Sequence, residues 1–263
     1  MKIVLIISVI LFLTGAFWKI LAIPINKPDG KLPNGSLLNL SSQLLYNVKT
    51  DRRIDSVQTA LSNYSLMDLQ EGLSDDNARK AFWINMYNAN YQIFAIHNKK
   101  TKDNIYTDKE ILFADKEFSL DDIEHGILRK YRWKYGLGYL PQFFPSKSIK
   151  QLAVNNVDFR IHFALNCGAK SCPPIAFYQY DLIDEQLDLA ARSFLQTETE
   201  INSVIREVHV TKIMQWFKGD FGGENGIRAI LLRYLNKDFS DYRIVYKDYD
   251  WTTDLKNFTD DSQ

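Results

Sequence analysis

Apolar residues recur at three- and four-residue steps between Ser41 and Ser62, at Leu44, Leu45, Val48, Ile54, Val57 and Leu61. That spacing predicts helix, with Asp51 as a break. From Ala78 to His97 (ARKAFWINMYNANYQIFAIH) apolar side chains lie nearly all round the predicted helix, which makes it a central, buried one. Ser74-Asp75-Asp76 opens it with acidic groups near the positive end of the helix dipole. A further helix is predicted over Leu120–Arg129, capped by Ser119 or Asp121, with Ile123, Ile127 and Leu128 as its apolar face. Leu182–Leu195 reads as an amphipathic helix, and Lys212–Phe217 and Ile227–Leu235 as short ones. Arg160–Leu165, Glu207–Thr211 and Tyr242–Tyr246 read as strands. Trp133–Pro145, rich in aromatic residues and glycine, reads as an irregular loop suited to covering a pocket. Together these elements predict an α+β protein: a single mixed domain with a central buried helix packed on a small β-sheet, after an N-terminal export segment.

That export segment is the apolar run Ile3–Leu13, behind Lys2 and ahead of the small residues Thr14-Gly15-Ala16. It reads as a signal peptide or, because Phe17-Trp18 and Ile20–Ile23 extend it, a retained signal anchor holding the membrane through residues 3–23. The expected organisation is residues 1–23 for export, 24–40 as a Pro/Gly-rich linker, 41–252 as the domain and 253–263 as a frayed tail. The expected location is extracytoplasmic: periplasmic or secreted, or anchored at the inner membrane.

In the 263 residues, Lys+Arg and Asp+Glu number 32 each, so no global field favours nucleic acid or an acidic membrane. The basic run His97–Lys102 is answered at once by Asp103, Asp108 and Glu110 and reads as a solvated loop. With 46% hydrophobic residues the chain has ample core material.

Chemistry concentrates in Asp158–Ile175 (DFRIHFALNCGAKSCPPI), which holds both cysteines and ends at Pro173-Pro174. Cys167 and Cys172 allow three readings. They form a small disulfide; or they bind a metal with His125 and His162, although four intervening residues match no usual zinc spacing; or one of them is a catalytic thiolate. On a strand, His162 and Cys167 would point to opposite faces and lie about 16 Å apart. His125, from another helix, is the better partner, with Asn85, Asn88 or Glu124 orienting it. Glu124 and His125 are adjacent on their helix and diverge by about 100°. Asn85 and Asn88 share a face of the buried helix, where they either orient a site or satisfy buried backbone. Arg160, beside Asp158, binds an anionic substrate group or a carboxylate of the fold.

FWINMYNA (Phe82–Ala89), IEHGILR (Ile123–Arg129), RIHFALNCGAKSCPPI (Arg160–Ile175) and YDW (Tyr249–Trp251) together resemble the signature blocks of the family known as domain of unknown function 547. The resemblance spans roughly Asp76–Trp251, with Phe159 where that family commonly has proline. It implies a mixed helix-and-sheet domain and no agreed activity, and it draws attention to Trp83, Asn85, Asn88, Glu124, His125, Arg160, His162 and Cys167.

The leading functional expectation is an exported thiol-dependent hydrolase or acyltransferase acting on a peptide-like or amide substrate. Cys167 is its nucleophile, His125 its base, and Asn85 or Glu124 the orienting group. Asn88, Arg160, His162 and Trp83 are the expected substrate-binding residues. A papain or transglutaminase type of fold fits poorly, because there the cysteine precedes the histidine. The alternative is a non-catalytic envelope module that binds a ligand or partner and carries a Cys167–Cys172 disulfide. No cofactor, metal or nucleic-acid partner is expected; the substrate is an unknown small molecule or peptide.

Overall fold

The computed structural model describes residues 33–96, 98, 104–113 and 116–259. The export segment, most of the linker and the basic run except Asn98 lie outside these residues, as do residues 260–263. Helix α1 (Gly35–Lys49) begins inside the span expected as linker, because the Asn34 side chain accepts hydrogen bonds from Ser36 N and Leu37 N at 3.0 and 3.3 Å and caps it. The expected break falls at Asp51, whose φ of 55° turns the chain into α2 (Asp55–Ser62). Helix α3 (Leu66–Gly72) follows behind a capping box between Ser65 and Asp68.

The central helix is α4 (Asp76–Ile96), buried from Ala78 to Phe94. Helix α1 packs along it. A two-stranded antiparallel hairpin, β1 (Ile111–Phe113) and β2 (Lys116–Phe118), covers its first turns. Phe113 and Phe118 close on Phe82 and Trp83 there, with ring centroids 4.9–6.0 Å apart.

After the short helix α5 (Lys147–Leu152), a second apolar cluster collects α6 (Ile183–Glu198), α7 (Ile213–Trp216), α8 (Gly223–Leu235) and a three-stranded sheet. The sheet runs β3 (Glu200–Asn202), β4 (Glu207–Val210), β5 (Arg243–Tyr246); β3–β4 is antiparallel and β4–β5 parallel, with α7 and α8 in the crossover. The α+β class holds, but the helix and the larger sheet occupy different clusters. Of the two sheets among the described residues, it is the hairpin that packs on α4.

Two expectations are corrected. The strand over Arg160–Leu165 is instead a 3₁₀ turn, Phe159–Phe163, followed by irregular chain. Asp158 caps that turn by accepting from Arg160 N at 3.1 Å. The chain after it pairs with side chains of α4 rather than with a strand. Asn88 Nδ2 donates to Ala164 O and Asn88 Oδ1 accepts from Asn166 N, both at 2.9 Å. One turn back, Asn85 makes the same pair of bonds to Tyr178 O and N at 2.8 and 3.0 Å. The residues expected as a frayed tail from 253 also have partners. Thr253 bridges Ala169, Phe258 bridges Ile175, and Asp254 N donates to Gly168 O at 2.8 Å.

Asn88→Ala leaves a buried carbonyl and a buried N–H without partners, at a cost of about 2–4 kcal/mol. Urea unfolding of the two proteins measures it; a loss below about 1 kcal/mol would mean that the 164–166 segment does not depend on this amide.

Candidate functional site

Asp122–Leu128 forms a π-helix, entered through reciprocal bonds between Ser119 and Asp122 at 3.1 Å. The wide turn, seen in the Arg129 N to Glu124 O bond of 2.9 Å, is a helix type found often at functional sites. It turns Glu124 and His125 toward a cavity of about 520 Å³. Tyr87 of α4 forms its floor, and the 3₁₀ turn and the loop beyond it contribute His162, Leu165 and Cys167. Trp216 and Phe217 come from α7 and the residue after it; Tyr249 and Trp251 follow β5, and Tyr135 and Leu137 come from the 133–145 loop. Trp216, Tyr249 and Trp251 form a cluster with centroids 4.6–5.7 Å apart.

Of the eight expected site residues, Glu124, His125, His162 and Cys167 share this wall. The other four serve the fold. Asn85 and Asn88 are fully buried in their backbone bonds, and Trp83 lies in the aromatic core. Arg160 is taken up by Asp158, at 2.8 and 2.9 Å, and by Asp184, at 2.5 Å. Its carboxylate partners raise its pKa and leave it no role at the cavity.

Cys167 and Cys172 form a disulfide with Cα atoms 6.1 Å apart. Cys167 N donates to Cys172 Sγ at 3.0 Å, and the Tyr249 hydroxyl lies 3.2 and 3.1 Å from the two sulfurs. Gly168 follows with φ of +66°, and a Cβ there would meet Tyr91 Cε1 at 2.5 Å, so only glycine fits.

Behind the wall, Arg129 Nη1 lies 2.8 Å from His125 Nδ1. A guanidinium can only donate, so Nδ1 accepts and the ring proton sits on Nε2, 3.5 Å from Asp121 Oδ1. Burial, and then the Arg129 charge, push the His125 pKa down to about 3. Arg129 Nε also donates to Asp220 Oδ2 at 2.6 Å, and His162 Nε2 lies 2.9 Å from the same oxygen. Burial works against the Asp220 carboxylate, yet its bonds to His162 and Arg129 prevail and hold its pKa below the ordinary value. Burial likewise outweighs Asp220 at His162 and lowers its pKa. Phe217 stacks on His162, with centroids 4.0 Å apart, and lies 4.4 Å from the Arg129 guanidinium carbon.

Glu124 differs from the other charged groups. Its Oε2 accepts from the Tyr87 hydroxyl at 3.1 Å and its Oε1 is 3.8 Å from the His125 ring; among the described residues no Lys or Arg lies within 4.0 Å of it. Among those residues, too, no group of three or more His, Cys, Asp or Glu is arranged to hold a metal. Sequence reasoning missed Arg129, Asp220, Trp216 and Tyr249. Arg129 and Tyr249 stand within quoted motifs, whereas Asp220 is 58 residues from His162 and carries no local signal.

Below a solution pKa near 6.5 the unfolded chain takes up a proton that folded His125 refuses until about pH 3, so acid lowers stability across that window. His125→Gln removes this linkage and flattens the fall between about pH 6 and 4 by up to about 1.4 kcal/mol per pH unit. Urea unfolding over that range tests it, and an unchanged slope would contradict a neutral, buried His125.

No curated protein and no solved structure matches the chain. The family described as "Protein of unknown function, DUF547" matches residues 70–195, which contain α4, the π-helix and the cysteine loop. That match supports assigning this segment to the family.

Proposed function

We propose that the domain binds a largely apolar, amine-bearing small molecule in this cavity and performs no covalent chemistry while Cys167–Cys172 is closed. The observation that carries this reading is Glu124: a carboxylate without a cationic partner among the described residues, set in a wall of aromatic rings. Ring faces are electronegative and attract organic cations, and burial strengthens that attraction. A bound ammonium would give Glu124 the counter-charge it lacks and would rest on the Trp216, Tyr249 and Trp251 rings. Two facts weigh against the thiol enzyme in this state. A disulfide sulfur supplies no thiolate, and His125, kept neutral by burial and by Arg129, is a weak base. The gathering of Cys167, His125, Glu124 and His162 on one cavity favours, as a second reading, a hydrolase or acyltransferase unmasked by reduction. Either reading takes the protein to be extracytoplasmic, where a disulfide persists.

Benzyltrimethylammonium quenches tryptophan fluorescence saturably, whereas its uncharged isostere neopentylbenzene binds at least about tenfold more weakly. Glu124→Gln removes that preference. Equal binding of the two probes would sink the amine reading. Separately, iodoacetamide leaves the intact mass unchanged before reduction. Labelling of Cys167 without reductant, lost in His125→Ala, would replace the ligand-binding reading with the thiol enzyme.

A further inference from the structure

The chain as a whole is neutral, but charge is segregated within it. From His125 to Val157 there is no Asp or Glu, while Arg129, Lys130, Arg132, Lys134, Lys147 and Lys150 fall in that stretch. Arg129 is spent on Asp220 and Lys134 on Asp121; Lys147 and Lys150 are exposed.

The same stretch carries a concentration of exposed apolar side chains: Trp133, Tyr135, Leu137, Leu140, Phe143 and Phe144, the last two 74% and 93% exposed. Scattered exposed apolar residues are ordinary; a run of this kind on one short segment is not. Nor is the segment a loose loop. It folds back on itself through Trp133 N to Leu140 O at 2.9 Å, Gln142 N to Tyr131 O at 2.6 Å and a bridge between Arg132 and Pro141. The turn is seated on the Gly219 corner: Gly219 N donates to Leu137 O at 2.7 Å, and a Cβ on Gly219 would lie 2.5 Å from the Gly138 carbonyl carbon. The backbone is therefore fixed from beneath while the side chains face outward. Tyr135 and Leu137 also line the cavity, so the apolar projection stands at the cavity's edge.

We propose that the 131–145 hairpin docks on an anionic lipid bilayer, its aromatic side chains entering the headgroup region and Lys147 and Lys150 meeting the lipid charge. Trp, Tyr and Phe beside cations are the composition that suits such an interface. Pairing with a second copy would bring two basic stretches face to face, which like-charge repulsion opposes. This docking is separate from any attachment through residues 3–23 and does not depend on what the cavity binds.

The test uses the full chain carrying Gln142→Cys, labelled with an environment-sensitive fluorophore; the native cysteines are joined to each other and do not compete. Vesicles of phosphatidylcholine mixed with phosphatidylglycerol shift the label to the blue, and vesicles of phosphatidylcholine alone do not. Phe143→Ser/Phe144→Ser abolishes the shift with the circular dichroism unchanged, and Lys147→Glu/Lys150→Glu weakens the apparent affinity by roughly tenfold or more. The proposal fails if the protein floats with vesicles while the label stays aqueous, which would assign attachment to residues 3–23. It fails equally if the blue shift arises without lipid and grows with protein concentration, which would mark a contact between copies.

Discussion

The structure depends on a polar stripe down its most buried helix. Asn85, Asn88 and Gln92 lie on one side of α4, and each acts on backbone or side chains that belong to no sheet. Asn85 pairs with both backbone groups of Tyr178, and Asn88 joins Ala164 to Asn166. Gln92 accepts from Lys256 N at 2.9 Å and reaches the Asn166 side chain at 3.5 Å. Elsewhere a buried extended segment satisfies its backbone by joining a ladder. Here a helix supplies the missing strand with amide side chains. Each such bond contributes only about 1 kcal/mol net, but leaving its partner unmet in a dry interior costs more. Location follows from that asymmetry: the cysteine loop is held against α4 and brings Cys167 and Leu165 to the cavity.

A second buried polar system sets the charge at the cavity. Arg129 and Asp220, with fully buried side chains, neutralise one another and between them engage both histidines. Burial and the guanidinium keep His125 uncharged, and the carboxylate anchors His162. Of the acidic groups on the cavity, Asp121 is paired with Lys134 at 2.8 Å, whereas Glu124 has no Lys or Arg within 4.0 Å among the described residues. Removing one partner from a pair buried in this way costs far more than the pair contributes. The arrangement therefore specifies which groups may carry charge rather than supplying much stability.

Much of this was legible in the sequence, for identifiable reasons. The all-round apolar pattern of Ala78–His97 made α4 the centre, because only a buried helix tolerates it. The two asparagines on it signalled a polar obligation, and the obligation proved to be backbone pairing. Glu124, His125, His162 and Cys167 were found as candidates and do share one cavity. Their geometry was misjudged at Arg160–Leu165, where alternation suggested a strand. The capping carboxylate of Asp158 wound the first residues into a 3₁₀ turn instead, so His162 and Cys167 meet the same space. Asp220 was out of reach, since a partner supplied from a distant turn leaves no periodic trace. Aromatic residues and glycine make Trp133–Pro145 read as irregular. Its backbone order comes from contact with Gly219, which pattern does not encode.

The ladder between residues 168–175 and 250–259 bears on how the molecule comes into being. Lys170 N and Ser171 N donate to Thr252 O and Asp250 O, and Ile175 N donates to Asn257 O. These contacts join chain positions about 80 residues apart, with the parallel β4–β5 crossover between them. Contacts so distant in sequence form slowly and late. A chain emerging from its N-terminal side can complete α4, the π-helix and the cysteine loop while Tyr249 and Trp251 are still unmade. Until they arrive, the sulfur atoms that the Tyr249 hydroxyl later covers stand open to oxidants and to other thiols. Biosynthesis thus gives the two cysteines an interval of accessibility that narrows once Tyr249 is in place.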